Sequence, residues 1–241
     1  MDKERTKLVN AIRAAARPAP RKQGAAYLGT VSRTLNVSTA ELRAQAREWV
    51  RANEDAPAAD VLRLCDGLFA GKTHQEKALG AIILSYAHAA RRAASQKRIE
   101  DWLDDLHGWA EVDALCSNVF QYEEMLSDWG NWKALLNRLS RDANINKRRA
   151  SLVLLTGPVR YSGDARLSAL AFALVGRLRS ERDILITKAV SWLLRNLTLR
   201  HEGEVAAYLE ANEAKLPRVA VRETLRKLRT GTKSGKSARR R

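Results

Sequence analysis

The chain has 241 residues, 45% of them hydrophobic, and 43 Lys and Arg against 27 Asp and Glu give a formal net charge of +16. That length and apolar content suffice for one substantial domain or two small ones, and so basic a balance points first to nucleic acid and second to an anionic membrane surface. Two cysteines in apolar helical patterns argue against a disulfide framework or a zinc site. No apolar stretch is long enough to span a bilayer, and Met1-Asp2-Lys3-Glu4-Arg5 lacks the apolar block of a signal peptide. The chain is therefore expected to be cytoplasmic and nucleoid-associated, with no membrane partner.

Helical periodicity runs along the chain, with no alternating strand pattern. Arg17-Pro18-Ala19-Pro20-Arg21 ends a first helix, and Ser38-Thr39-Ala40-Glu41 has the spacing of a capping box that opens another. Pro57 stands where a first turn begins, and Gly71-Lys72 separates the next two helices. Ala78, Leu79, Ile82, Ile83 and Tyr86 form one apolar stripe, and Val112, Leu115, Cys116 and Val119 a second. Pro158 and Gly163 bracket a loop. Ile186, Ala189, Val190, Leu193 and Leu197 make a third stripe, and Gly203 and Pro217 mark the later boundaries. The expected fold class is all-α. Antiparallel helix pairs joined by short loops predict degenerate repeats stacked into a curved solenoid over residues 1–229, with a compact bundle as the alternative. Residues 230–241, where Lys233, Lys236, Arg239, Arg240 and Arg241 alternate with Gly, Ser and Thr, read as a disordered basic tail for sequence-independent phosphate attraction.

The chemistry-bearing stretch is Trp109-Ala110-Glu111-Val112-Asp113. Residues four apart share a helix face, so an aromatic slab and a carboxylate stand side by side on the rim of the buried stripe. In so basic a protein a carboxylate gains no phosphate affinity, which points to another task for Asp113. Taken alone, W-x-x-x-D also fits a core-edge Trp with an exposed Asp. Trp192 falls about 120° off its own stripe, so it either packs on a neighbouring helix or meets a ligand. Trp49, Trp102, Trp129 and Trp132 read as packing. Among Lys147, Arg148 and Arg149, a residue directed beneath the apolar run 150–155 would be held rigidly, as a phosphate clamp is. The histidines His74, His88, His107 and His201 are scattered, with no nucleophile partner and no metal-ligand spacing. No cofactor or metal is expected.

These segments, in this order, resemble the helical-repeat DNA alkylation repair glycosylases, the AlkD-like family. Trp109-Ala110-Glu111-Val112-Asp113 is similar to its W-x-x-V-D helix, and Arg149-Ala150-Ser151-Leu152-Val153 to its Arg-led apolar helix. Thr187-Lys188-Ala189-Val190-Ser191-Trp192-Leu193-Leu194-Arg195 is similar to K-A-[IV]-x-W-x-L-R, the most specific of the three. Tyr27-Leu28 with Asn36–Arg43 resembles its N-terminal stretch, and Pro217–Glu223 its last helix, so the resemblance covers about Tyr27 to Leu228. The chain departs from the pattern at Asn146, where members carry a tryptophan, and in 36–43, which lacks a glycine, a proline and one arginine.

The resemblance implies a HEAT-like solenoid holding duplex DNA that contains alkylated bases; a monomer is the simplest expectation for the chain. The resemblance also implies hydrolysis of the N-glycosidic bond of cationic alkylated purines such as N3-methyladenine and N7-methylguanine. By the same carry-over Asp113 is the catalytic carboxylate, Trp109 and Trp192 pack against the sugar-phosphate, and Arg149 grips the backbone. Tyr27 is a further lesion contact, and Ser38, Thr39, Arg43 and Arg148 are secondary backbone contacts. Two other classes compete: a non-catalytic relative that binds distorted or branched DNA, and a scaffold for acidic proteins. Neither explains Asp113, and the scaffold also leaves Trp192 without a role.

Overall fold

The structure is a computed structural model that describes residues 2–18, 28–117 and 119–234. Tyr27 and tail residues 235–241 lie outside the described residues. Among those described, the regular elements are all helical, with only isolated bridges pairing Arg17 with Asn36 and Arg33 with Thr73. The expected all-α class holds. The chain divides into two compact units, Met1–Phe120 and Gln121–Arg241. In each, neighbouring helices pack on one another as helical repeats do.

The first unit contains α1 (Asp2–Ala15), α2 (Thr39–Ala52), α3 (Ala58–Phe69), α4 (His74–Tyr86), α5 (His88–Ala93), α6 (Gln96–Asp104) and α7 (Gly108–Cys116). Its centre is α4, which packs on α2, α3 and α7. A helix enclosed on several sides needs apolar residues all round rather than a single stripe. Accordingly α4 buries Ala78, Leu79, Gly80, Ala81, Ile83 and Leu84 in succession. The box at Ser38 forms as its spacing requires: Ser38 Oγ accepts from Glu41 N at 3.2 Å, while Glu41 Oε2 accepts from Ser38 N at 2.8 Å. A second box, Thr73 with Glu76, starts α4. Pro57 is the N-cap residue of α3.

The second unit contains α8 (Tyr122–Ser127), α9 (Trp129–Leu139), α10 (Ile145–Thr156), α11 (Pro158–Tyr161), α12 (Ala165–Leu178), α13 (Ile184–Leu197), α14 (Glu202–Asn212) and α15 (Arg218–Thr230). Its centre is α10, buried from Arg149 through Thr156 and packed chiefly on α13, which in turn carries α15. The α13 stripe expected from the sequence, Ile186 to Leu197, is fully buried. Two boundaries differ from expectation. Pro158 begins the short α11 rather than a loop, because a proline at the first helical position lacks only an N–H that would go unused. Gly203 lies in the first turn of α14, where a glycine costs little, and the break falls at Thr198–His201.

Cys65 and Cys116 are free and buried, as their apolar surroundings imply. No described helix is long and apolar enough to cross a membrane, and no group of His, Cys, Asp or Glu among the described residues has metal-site geometry. Thr230 belongs to α15, and Gly231, at φ 70°, closes the helix in the left-handed conformation.

Candidate functional site

In the first unit the site is built on α7. Its first residue, Gly108, has φ 73°, and a Cβ there would lie 1.5 Å from Gly29 O. Gly29 is itself at φ 61°, and a Cβ on it would come within 3.0 Å of Trp109 Cδ1. Two backbones meet where side chains cannot fit, and that contact fixes the start of the helix that presents Trp109. Glu111, only 1% exposed, ties the same region together. It accepts hydrogen bonds from the Thr30 hydroxyl and from His107 N, the latter at 2.9 Å. Thr30 Oγ1 in turn accepts from Ser32 N at 3.0 Å. A buried carboxylate costs much unless its oxygens are satisfied, and these donors satisfy it from two chain segments far apart in sequence.

Trp109 is 36% exposed, and Asp113, one turn on, is half-buried. The main-chain oxygen of Asp113 accepts from Ser117 N at 2.9 Å and from Ser117 Oγ at 2.6 Å, ending the helix. Trp109 forms one wall of a cavity of about 420 Å³ between α2, α4 and α7, whose rim also holds Thr39, Arg43 and His74. Three residues singled out from the sequence, Thr39, Arg43 and Trp109, thus border one space, and Asp113 shares the helix that walls it. Ser38 stays in its cap on the exposed start of α2.

His74 lies 3.9 Å from Glu111 through its Nδ1. Burial pushes its pKa below the ordinary value, and Lys77 adds to that, while Glu111 pulls the other way. The imidazole is therefore neutral near pH 7. The sequence marked none of Gly29, Gly108, Thr30, Glu111 or His74 as part of the site.

In the second unit Arg149 is 4% exposed and donates from Nη1 to Leu185 O at 2.5 Å, joining α10 to α13. Its guanidinium thus lies within the contact between the two helices. Arg148 grips both oxygens of Glu181, at 2.8 and 3.1 Å, and also donates to the carbonyls of Asp142 and Ala143. Trp192 is half-buried on α13. Lys188 and Arg195 flank it at helical spacing on the same face. Burial pushes the Lys227 pKa down, and the nearby Arg195 and Arg160 add to the effect, so cations crowd this part of the unit.

Glu223, on α15, organises that crowd. It is 7% exposed and accepts from Ser191 Oγ at 2.6 Å, with Arg195 Nε at 3.4 Å, Lys233 Nζ at 3.5 Å and Lys188 Nζ at 4.0 Å. Burial alone would raise its pKa, but Ser191, Lys233, Arg195 and Lys188 together hold it below the usual carboxylate range.

Three of the four tryptophans expected to pack are buried: Trp49, Trp102 and Trp132. Trp49 donates to Glu4 at 3.3 Å and Trp102 to Asp66 at 2.8 Å, partners that come from other helices. Trp129 is half-buried, with the Arg166 guanidinium 5.9 Å from its ring centre.

No curated protein matches the chain. The family model for the DNA alkylation repair enzyme matches residues 8–228, which takes in most of both units. The chain therefore belongs to the DNA alkylation repair enzyme family.

Proposed function

We propose that the protein is a monofunctional DNA glycosylase of the AlkD-like branch, active in base excision repair. Its substrates are cationic alkylated purines in duplex DNA, of the N3-methyladenine and N7-methylguanine type. Residues 1–229 act as one DNA-binding and catalytic domain, and the protein works as a monomer without a cofactor. The observation that carries this reading is a half-exposed carboxylate, Asp113, one turn from an exposed tryptophan in a chain of net charge +16.

The chemistry needs little more. An alkylated purine already bears positive charge, so it leaves with the electron pair of the C1′–N bond as a neutral base. No general acid has to protonate it. The sugar left behind is oxocarbenium-like, and a carboxylate both stabilises that charge and accepts a proton from the attacking water. Asp113 supplies that carboxylate. Trp109 and Trp192 pack against the sugar-phosphate, with Tyr27 beside the lesion. Arg149 holds the backbone register, and Ser38, Thr39, Arg43 and Arg148 are secondary backbone contacts. No lysine nucleophile takes part, so the DNA strand stays intact.

The test is release of free base from duplex DNA containing N7-methylguanine, wild type beside Asp113→Asn. Under single-turnover conditions the substitution is expected to slow release by roughly 100-fold or more while leaving DNA binding equal or slightly tighter. Equal loss of release and binding would remove the catalytic role of Asp113. Tight binding without release by either protein would favour a non-catalytic relative that recognises distorted DNA by shape.

A further inference from the structure

Helix α15 carries two differently occupied faces. Toward α13 it turns Ala220, Glu223 and Thr224, all buried, and Glu223 is the only acid in the helix. At about 100° per residue, Arg218, Arg222, Leu225 and Arg229 fall on the opposite side. They border a groove of about 570 Å³ together with Arg226 and one acid, Glu213, over an apolar floor that includes Leu216. Among the described residues no carboxylate pairs with Arg218, Arg222, Arg226 or Arg229. Elsewhere in the unit the exposed Arg166 pairs with Asp164, and the half-buried Arg148 with Glu181.

Like charges one turn apart repel, so an unpaired arginine row lowers helix stability unless an anion completes it. The chemistry of the row is specific enough to name that anion. Guanidinium forks bind phosphate oxygens bidentately, and arginine rather than lysine fills every position of the row. From Arg218 to Arg229 the helix rises about 16 Å. A duplex presents a phosphate for about every 1.7 Å of its axis, so a row of this length meets several phosphates whatever the base sequence. The apolar floor between the arginines gives their aliphatic stems a surface to lie on.

We propose that this outward face of α15 is a second surface for the duplex DNA backbone, independent of the face that carries Trp192. One chain then holds two stretches of duplex at once. The proposal takes DNA as the partner, as membership of the repair family implies, and does not depend on base excision.

The experiment mixes full-length protein with two short undamaged duplexes, one carrying a donor dye and the other an acceptor, and reads energy transfer between them at low salt. Wild type is expected to bring the two duplexes together. The Arg218→Gln/Arg222→Gln/Arg229→Gln variant is expected to lose the transfer and still bind one duplex. The logarithmic salt slope for the second duplex, read with wild type, should be about 3, near 0.9 for each of three phosphates. Should the triple variant melt abnormally by circular dichroism, the pair Arg218→Glu/Arg229→Glu at two exposed positions must give the same loss. Transfer that is absent in wild type, or that persists in a folded variant, overturns the proposal. Because undamaged DNA is used and no base release is read, failure here is separate from failure of the glycosylase reading.

Discussion

The two units reach their site residues by opposite electrostatic routes. In the first, a fully buried carboxylate, Glu111, is neutral-partnered: a hydroxyl and a main-chain N–H satisfy it, and the nearby imidazole of His74 is held uncharged. In the second, the buried carboxylate Glu223 is surrounded by Arg195, Lys188 and Lys233. The first arrangement fixes a shape, the seating of Trp109, without spending positive charge. The second fixes the positions of charges that would otherwise repel one another.

The comparison can be broken most severely at Gly108. A Cβ there meets the Gly29 carbonyl, and the residue needs a positive φ as well. Gly108→Ala is expected to cost about 2–4 kcal/mol, read as a lower urea midpoint, and to change the fluorescence of Trp109. An unchanged midpoint would show that the Gly29 segment moves aside freely.

Glu223→Gln separates the units next. It keeps a partner for Ser191 but removes the charge that the cations surround. The folded-state pKa is depressed, so the carboxylate contributes stability above its ordinary pKa and loses it as pH falls through the lower, folded value. The gap in melting temperature between wild type and variant should therefore stay level from pH 8 to 5 and close below about pH 4.5. A gap that is absent at neutral pH would mean that the cations need no organiser.

The smallest effect is expected at His74. Its folded pKa is also depressed, and here the group is a base. Below about pH 6.5 the unfolded chain takes up a proton that the folded chain refuses, so stability falls until His74 itself protonates. His74→Gln should flatten the loss of stability between pH 7 and 5.5. An unaltered slope would assign that pH dependence to other groups.

What the sequence revealed follows the range of the interaction concerned. The Ser38–Glu41 cap was legible because both partners lie within one turn. The stripes of α7 and α13 were legible because helical period alone specifies them. Asp113 and Trp109 stood out because a carboxylate four residues from an aromatic is unusual in so basic a chain. By contrast, Glu111 stands within the motif, yet its hydrogen-bond partner Thr30 lies 81 residues away. The cavity beside Trp109 draws its walls from three helices. Trp49 and Trp102 show the same limit: the acids they bond, Glu4 and Asp66, arrive from other helices. Pro158 and Gly203 were read as breaks, but a first helical turn accepts both.

The buried state of the two cysteines has a consequence for a protein that works amid electrophiles. Thiolates are the most reactive nucleophiles a protein offers to an alkylating agent, and reactivity follows exposure and low pKa. Cys65 is fully buried, and burial pushes its thiol well above the ordinary range. Cys116 is 2% exposed, and the sequence contains no third cysteine. The chain thus meets the chemistry that damages its substrate with its own softest nucleophiles withdrawn, which suits it to remain intact under the conditions that call for its activity.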